Sequence, residues 1–258
     1  MANLYEKHNY TNKEIPFLCN TTIREYDMRS GGYSLLKRAG VLAQNEIEFL
    51  ENCSKYDRNV YLGNKVRNNP KLSEIQINGF IEARKLFFEL NNIQEKDVLA
   101  IKKDAIFLIK TMPSNLSFDG LEFRLANTYN SYYYLNDMEF YYSTKRNEVD
   151  IKGLGKENIP LHKDYFIKDL CKIFSLAEKN NNDFLLKYLK KYRRNYLNKE
   201  LDYNCYREMN KESMFRLTQT FLDQELLVEN IEESKLETDI NIMYNYVTYI
   251  IPLISLYV

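Results

Sequence analysis

Residues 23–27 set apolar Ile23 and Tyr26 among polar Arg24, Glu25 and Asp27 and read as a half-buried strand. Ser30-Gly31-Gly32 ends it. Over 33–51, Leu35, Leu36, Ala39, Leu42, Ile47 and Leu50 recur at helical spacing, and Gly40 splits that stretch into two short helices. Ile75, Phe80, Ala83, Phe87 and Leu90 predict an amphipathic helix over 73–91. Residues 98–109 read as strand–turn–strand, with Lys102-Lys103-Asp104 at the bend. A meander of strands is expected over 123–150, where Tyr132-Tyr133-Tyr134-Leu135 and Met138-Glu139-Phe140-Tyr141-Tyr142 are joined at Asn136-Asp137. Gly, Asn and Pro cluster at 153–160, and beyond them the pattern is helical at 163–180, 182–197, 198–209, 211–230 and 236–258. Residues 1–20 carry little periodic signal. The pattern predicts an α+β chain: an N-terminal arm (1–20), a mixed α/β domain (21–158) and an all-helical part (159–258).

Composition narrows this picture. With 45% hydrophobic and 28% charged residues the 258-residue chain is globular, with enough length for a sizeable core. Its net charge is zero, so nucleic-acid binding requires a local patch. Twenty-two Tyr and no Trp, among many Asn, Lys and Ile, reflect an A/T-rich genome. Cys19, Cys53, Cys171 and Cys205 form no C-x-x-C pair and only two His are present, which argues against structural zinc. The N-terminal MANLYEKHNY shows no apolar signal segment, so reduced thiols and a cytoplasmic location are expected, the host's if the protein is viral. Residues 241–258 are apolar, but Asn245, Thr248, Pro252 and Ser255 interrupt them. Burial is expected there rather than a membrane span.

Two acidic residues stand out. Asp27 ends a strand just before a glycine turn; it either points off the strand end toward metal ions or caps the helix beginning near Ser30. Asp104 sits at a bend between Val98-Leu99-Ala100-Ile101 and Ala105-Ile106-Phe107-Leu108-Ile109. It is either the tip of a central hairpin or an ordinary turn residue. Lys187-Tyr188-Leu189-Lys190-Lys191-Tyr192-Arg193-Arg194-Asn195-Tyr196 packs cations and tyrosines together in an otherwise neutral chain. That combination suits either sequence-neutral nucleic-acid binding or a solvated helix face.

In order along the chain, Tyr26-Asp27-Met28-Arg29-Ser30, Lys55-Tyr56-Asp57-Arg58-Asn59-Val60-Tyr61-Leu62-Gly63 and Ile101-Lys102-Lys103-Asp104-Ala105-Ile106-Phe107 resemble the active-site strands of a nucleotide polymerase. With Asp150-Ile151-Lys152-Gly153-Leu154 they resemble the palm and thumb of a family B DNA polymerase of the phage kind. Asp27 and Ser30 match the first motif, with Gly31 and Gly32 in place of Leu and Tyr. Lys55 and Asn59 match the second, with Tyr61 and Gly63 each displaced by one. The third keeps only its second carboxylate, Asp104, and has Lys102 in place of the first.

The resemblance implies Mg²⁺-dependent nucleotidyl transfer, with Asp27 and Asp104 as catalytic metal ligands. It implies that Lys55, Asn59, Gly32 and Tyr33 meet the nucleoside triphosphate, Gly32 standing where the family packs a tyrosine on the sugar. Lys152 would hold the DNA primer-template, and Lys190, Lys191, Arg193 and Arg194 would neutralise its phosphates. Fingers and exonuclease have no counterpart here, so two alternatives stay open. One is a non-catalytic, palm-like accessory subunit, or one part of a split polymerase that docks another subunit through the C-terminal segment. The other is a phage structural or interaction protein without polymerase ancestry.

Overall fold

A computed structural model describes residues 3–179, 182–198, 200–209 and 245–255. The fold is α+β, with two antiparallel sheets. Residues 1–20 are not a detached arm. They hold a 3-10 turn at Leu4–Glu6, strand β1 (Asn9–Thr11) and strand β2 (Phe17–Leu18). The chain packs as two compact units: residues 1–14 with 22–128, and residues 15–21 with 129–258.

In the first unit, β3 (Ile23–Met28) leads into helices α1 (Gly31–Arg38), α2 (Gln44–Asn52), α3 (Lys55–Arg67) and α4 (Pro70–Leu90). Strands β4 (Val98–Lys102), β5 (Ala105–Ile109), β6 (Ser117–Phe118) and β7 (Leu121–Tyr129) complete a sheet of order β1-β4-β5-β3-β7-β6. Tyr26 and Met28 of β3, Ile101 of β4, Ile106 and Leu108 of β5 and Phe123 of β7 pack with Phe80, Ala83 and Phe87 of α4. Phe87 and Phe123 stack with ring centroids 4.4 Å apart. The α4 helix starts where it does because the Asn69 side chain accepts from the Lys71 and Leu72 N–H groups and Pro70 fills the first turn.

The stretch beginning at Lys55, which resembled a strand, is helix α3. The Ser54 hydroxyl accepts from the Asp57 N–H at 3.1 Å, Asp57 sits in the first turn, and Lys65 and Arg67 sit in the last. Leu62 of α3 joins Tyr33, Leu36, Leu42, Leu50 and Leu72 in a second small core.

The second unit contains β8 (Ser131–Leu135), β9 (Met138–Ser143) and β10 (Glu148–Lys152), in a sheet of order β10-β9-β8-β2. Helices α5 (Ile159–Lys163), α6 (Phe166–Glu178) and α7 (Asn182–Leu197) come next. The expected domain division at 158, with a separate all-helical part beyond it, is corrected here. Phe140 and Tyr142 of β9 share one core with Phe166, Leu170, Ile173 and Phe174 of α6. Tyr142 stacks on Phe174 at 5.6 Å with planes 9° apart. A meander whose apolar face is buried by the next helices belongs with those helices. Of the later helices expected, 198–209 is reduced to a 3-10 turn at Tyr203–Tyr206, and 211–230 lies outside the described residues.

The C-terminal segment turns inward. Tyr249, Ile250 and Leu253 are fully buried in this unit's own core. The Asn245 amide bridges to Met209 N–H and Arg207 C=O, at 2.8 and 2.7 Å. Tyr249, Ile250 and Leu253 are therefore used by the chain's own core. Pro252 does not end the helix: a π-helical turn at Tyr246–Ile250 runs directly into Ile251–Ile254, which contains it. No helix among the described residues is long and apolar enough to cross a membrane.

One feature of this unit is pH-sensitive. Asp169 of α6 accepts from the Tyr188 hydroxyl of α7 at 2.8 Å. Burial pushes its carboxyl up to about 6 against that bond. The folded state thus holds the proton more tightly than the unfolded chain, so stability falls as pH rises from about 4 to 6. The ionised group costs up to about 3 kcal/mol above that window. Asp169→Asn keeps the tyrosine bond and should be more stable than the parent at pH 7 but equal to it near pH 4. Parallel melting curves across that range would refute the assignment.

Candidate active site

Backbone register builds the site. In the antiparallel β3–β5 pair, Asp27 lies opposite Ala105, and the β4–β5 hairpin turns through Lys103 and Asp104. Lys103 adopts φ +57°. The Asp104 carbonyl accepts from the Met28 N–H at 3.3 Å, so the strand carrying one carboxylate is tied to the turn carrying the other. Asp27 caps no helix: Ser30 holds the cap position of α1, and the Asp27 carboxylate instead accepts from Arg124 Nη2 on β7 at 3.5 Å. Burial raises the Asp27 carboxyl above its usual range and the Asp104 charge raises it further, while Arg124 acts in the opposite direction.

The two carboxylates open into a cleft of about 550 Å³. Opposite them, α3 presents Lys55, Asn59, Leu62, Gly63, Val66 and Arg67, spaced so that all fall on one helical face. Lys55 and Asn59 are exposed. Lys103 adds a third cation at the turn. Gly63 faces open space where a Cβ would stand, which keeps that wall of the cleft low.

The remaining wall is the start of α1. Ser30, in the left-handed region at φ +50°, makes no side-chain cap bond. Ser30, Gly31 and Gly32 all line the cleft. Space is tight around both glycines: a Cβ on Gly31 would lie 3.0 Å from the Phe80 ring and 3.5 Å from an Asp104 carboxylate oxygen, and one on Gly32 would displace the tip of the Gln76 side chain, 2.7 Å away. An uncapped helix start with bare backbone is suited to an anion.

Asp27, Asp104, Lys55, Asn59 and Gly32 are thus brought together. Tyr33 is not: it is buried, and its hydroxyl bonds Glu51 at 3.0 Å. Gln76, rather than Tyr33, stands beside Gly32. Lys102 also stays out of the cleft wall, its ammonium donating to the Thr11 hydroxyl at 2.9 Å. Lys152 belongs to the second unit, paired with Glu139 across β10–β9. Lys190, Lys191 and Arg194 are exposed on α7 of that unit and Arg193 is half-buried, while Leu185, Leu189 and Tyr192 are buried. Sequence reasoning missed Arg67, Gln76, Lys103 and Arg124. Of these, Arg67 was within reach, since it continues the helical spacing of Lys55 and Asn59.

Among the described residues no group of three or more His, Cys, Asp or Glu is arranged to hold a metal. Asp27 and Asp104 are the two hard oxygen donors that line the cleft. As a pair they would suit Mg²⁺, which is commonly held by one or two carboxylates together with waters and substrate phosphates.

Across residues 1–258 the chain matches the model of the family described as Bacteriophage PBS1 gene 130 protein, and it belongs to that phage protein family. No curated protein matches it.

Proposed function

We propose that the cleft of the first unit binds a nucleoside triphosphate and transfers its nucleotidyl group to a nucleic-acid 3′-hydroxyl. The observation that carries this reading is the convergence of two carboxylates, one on β3 and one in the neighbouring β4–β5 turn, with a cationic helix face and a bare helix start on one cleft. Asp27 and Asp104 would hold Mg²⁺, which when bound polarises the phosphate and lowers the pKa of the attacking hydroxyl. Lys55, Arg67 and Lys103 offset the charge of the transferring and leaving phosphates, where fixed cations are worth most. The Gly31 and Gly32 backbone lets a phosphate approach the α1 start without a side chain in the way. Lys102 donates to the Thr11 hydroxyl and is not among the residues that line the cleft. Primer extension by the purified chain, with and without Mg²⁺, tests the reading; no incorporation in any template and metal combination rejects it.

A second reading is binding without turnover, as an accessory subunit. It rests on Arg124, whose contact with Asp27 already neutralises part of the site. Retained triphosphate binding with no incorporation would select it.

Exposed α7 is proposed as a nucleic-acid contact, with Lys152 on the same unit. Changing Lys190, Lys191, Arg193 and Arg194 together to Ala should weaken binding evenly across sequences. The slope of log K against log salt should become shallower by about three to four. An unchanged slope would assign α7 to an ordinary solvated face.

A further inference from the structure

Arg84 lies on α4, one residue beyond the core position Ala83, and is only 1% exposed. A guanidinium taken out of water is costly unless its donors are satisfied. Here they serve two backbone carbonyls far apart in sequence: Nη1 donates to Lys103 at 2.7 Å and Nε to Tyr5 at 2.8 Å. Lys103 is the turn residue with positive φ, immediately before Asp104. Its own N–H donates to the His8 carbonyl at 2.9 Å, and β1 continues this contact by pairing Asn9 with Lys102. The Asp104 turn is therefore held on both of its polar backbone faces, by a buried side chain and by the N-terminal strand. Burial lowers the Arg84 pKa to about 10, and the Asp104 charge works against that shift. Arg84 remains a cation at neutral pH and stands behind the carboxylate rather than in the cleft.

We infer that Arg84 is a positioning residue: by spanning the Tyr5 and Lys103 carbonyls it fixes the turn that aims Asp104 into the cleft. The inference deepens the nucleotidyl-transfer reading and rests on it for what Asp104 does. It explains a placement that core packing alone does not. An aliphatic residue of that volume would fill the space without the desolvation cost, and replacing buried charge by apolar groups is often neutral or stabilising. A planar fork that reaches two acceptors at once is what lysine lacks.

The test uses the full chain with Arg84→Lys, which keeps the charge and loses the fork, and Arg84→Met, which keeps the volume and loses both. Amide hydrogen exchange at Lys103 reports the turn, and Mn²⁺ titration of the folded protein reports the carboxylate pair. Both variants are expected to unfold cooperatively, to exchange the Lys103 amide at least roughly tenfold faster, and to bind Mn²⁺ roughly 10- to 100-fold more weakly, the loss typical when a partner behind a ligand is removed. Unchanged Lys103 exchange in both variants overturns the inference. So does faster exchange with unchanged Mn²⁺ affinity, since Arg84 would then be only structural. If the parent chain binds no Mn²⁺, the nucleotidyl-transfer reading fails, while Lys103 exchange still decides whether Arg84 holds the turn. One variant too unstable to study leaves the other to decide, because each removes the fork by different chemistry.

Discussion

If the cleft transfers nucleotides as proposed, Asp27→Asn and Asp104→Asn should each abolish Mg²⁺-dependent incorporation, by roughly 10³-fold or more, without unfolding the protein. The size follows from removing a preorganised charge at the point where the transferring phosphoryl group accumulates it. The absence of unfolding follows from the electrostatics of the pair. Burial and the Asp104 charge both raise the Asp27 carboxyl. A folded-state pKa above the unfolded value means that the ionised form weakens the fold at neutral pH. Neutralising Asp27 should therefore leave stability equal or slightly higher at pH 7, with the difference vanishing as pH falls through the Asp27 pKa. Loss of the Arg124 contact subtracts little, because a half-exposed pair at 3.5 Å contributes at most modestly. Steady-state primer extension and melting at two pH values check both halves. Full activity in either variant removes the two-carboxylate site; lost activity together with a collapsed melting temperature would make the residues structural.

Arg124→Ala separates the two readings of the cleft. If the guanidinium yields Asp27 to a metal ion, the parent should already incorporate nucleotide and the variant should keep that turnover. If it holds Asp27 permanently, the parent should show no turnover, and the variant should bind Mn²⁺ more tightly than the parent does.

Much of this architecture was legible because local signals agreed with tertiary packing. Phe80, Ala83 and Phe87 of the α4 stripe and both arms of the Val98–Ile109 hairpin are buried as their patterns mark. The strand expected at 23–27 forms, but it buries Ile23, Glu25, Tyr26 and Met28 on both faces rather than one. Asn136 and Asp137 both adopt positive φ, which their residue types tolerate, and close the β8–β9 hairpin as expected. The failures lie where pairing partners are distant. Nothing periodic marks three-residue β1 or two-residue β2, which become strands only because β4 and β8 offer open edges. The division into units was misplaced for the same reason: shared burial of β9 and α6 is a long-range fact. In the cleft, Asp27, Asp104, Lys55 and Asn59 were visible as motif residues. Gln76, Lys103, Arg84 and Arg124 were not, since only the fold brings a mid-helix glutamine or a strand arginine to the carboxylates. Gly31 and Gly32 looked like departures from a motif. The close approach of α1 to Phe80, Asp104 and Gln76 leaves little room for a side chain at either position.

Gly153→Ala should be among the most damaging single-methyl changes in the protein. Gly153 lies just past β10 with φ +100°, a region that L side chains avoid at a cost of about 1–2 kcal/mol. A Cβ there would also lie 2.4 Å from the Asp137 carbonyl oxygen and 3.3 Å from Met138 Cα. Those are backbone atoms of the β8–β9 turn, so no flexible side-chain tip can move aside. Relief requires shifting either that hairpin or the chain leaving β10, and together the two effects should cost about 3 kcal/mol or more. For a chain of this size that lowers the melting temperature by roughly 6–12 °C. Gly153→Asn divides the causes. Asparagine tolerates positive φ better than alanine but carries the same Cβ, so it should be nearly as destabilising if the close approach dominates. Recovery of most of the stability by Asn would assign the cost to backbone conformation alone. If this unit binds nucleic acid through Lys152 and α7 as proposed, affinity in either variant should fall with the folded fraction and return on cooling. A loss of affinity that persists in fully folded protein would instead place Gly153 in the binding surface.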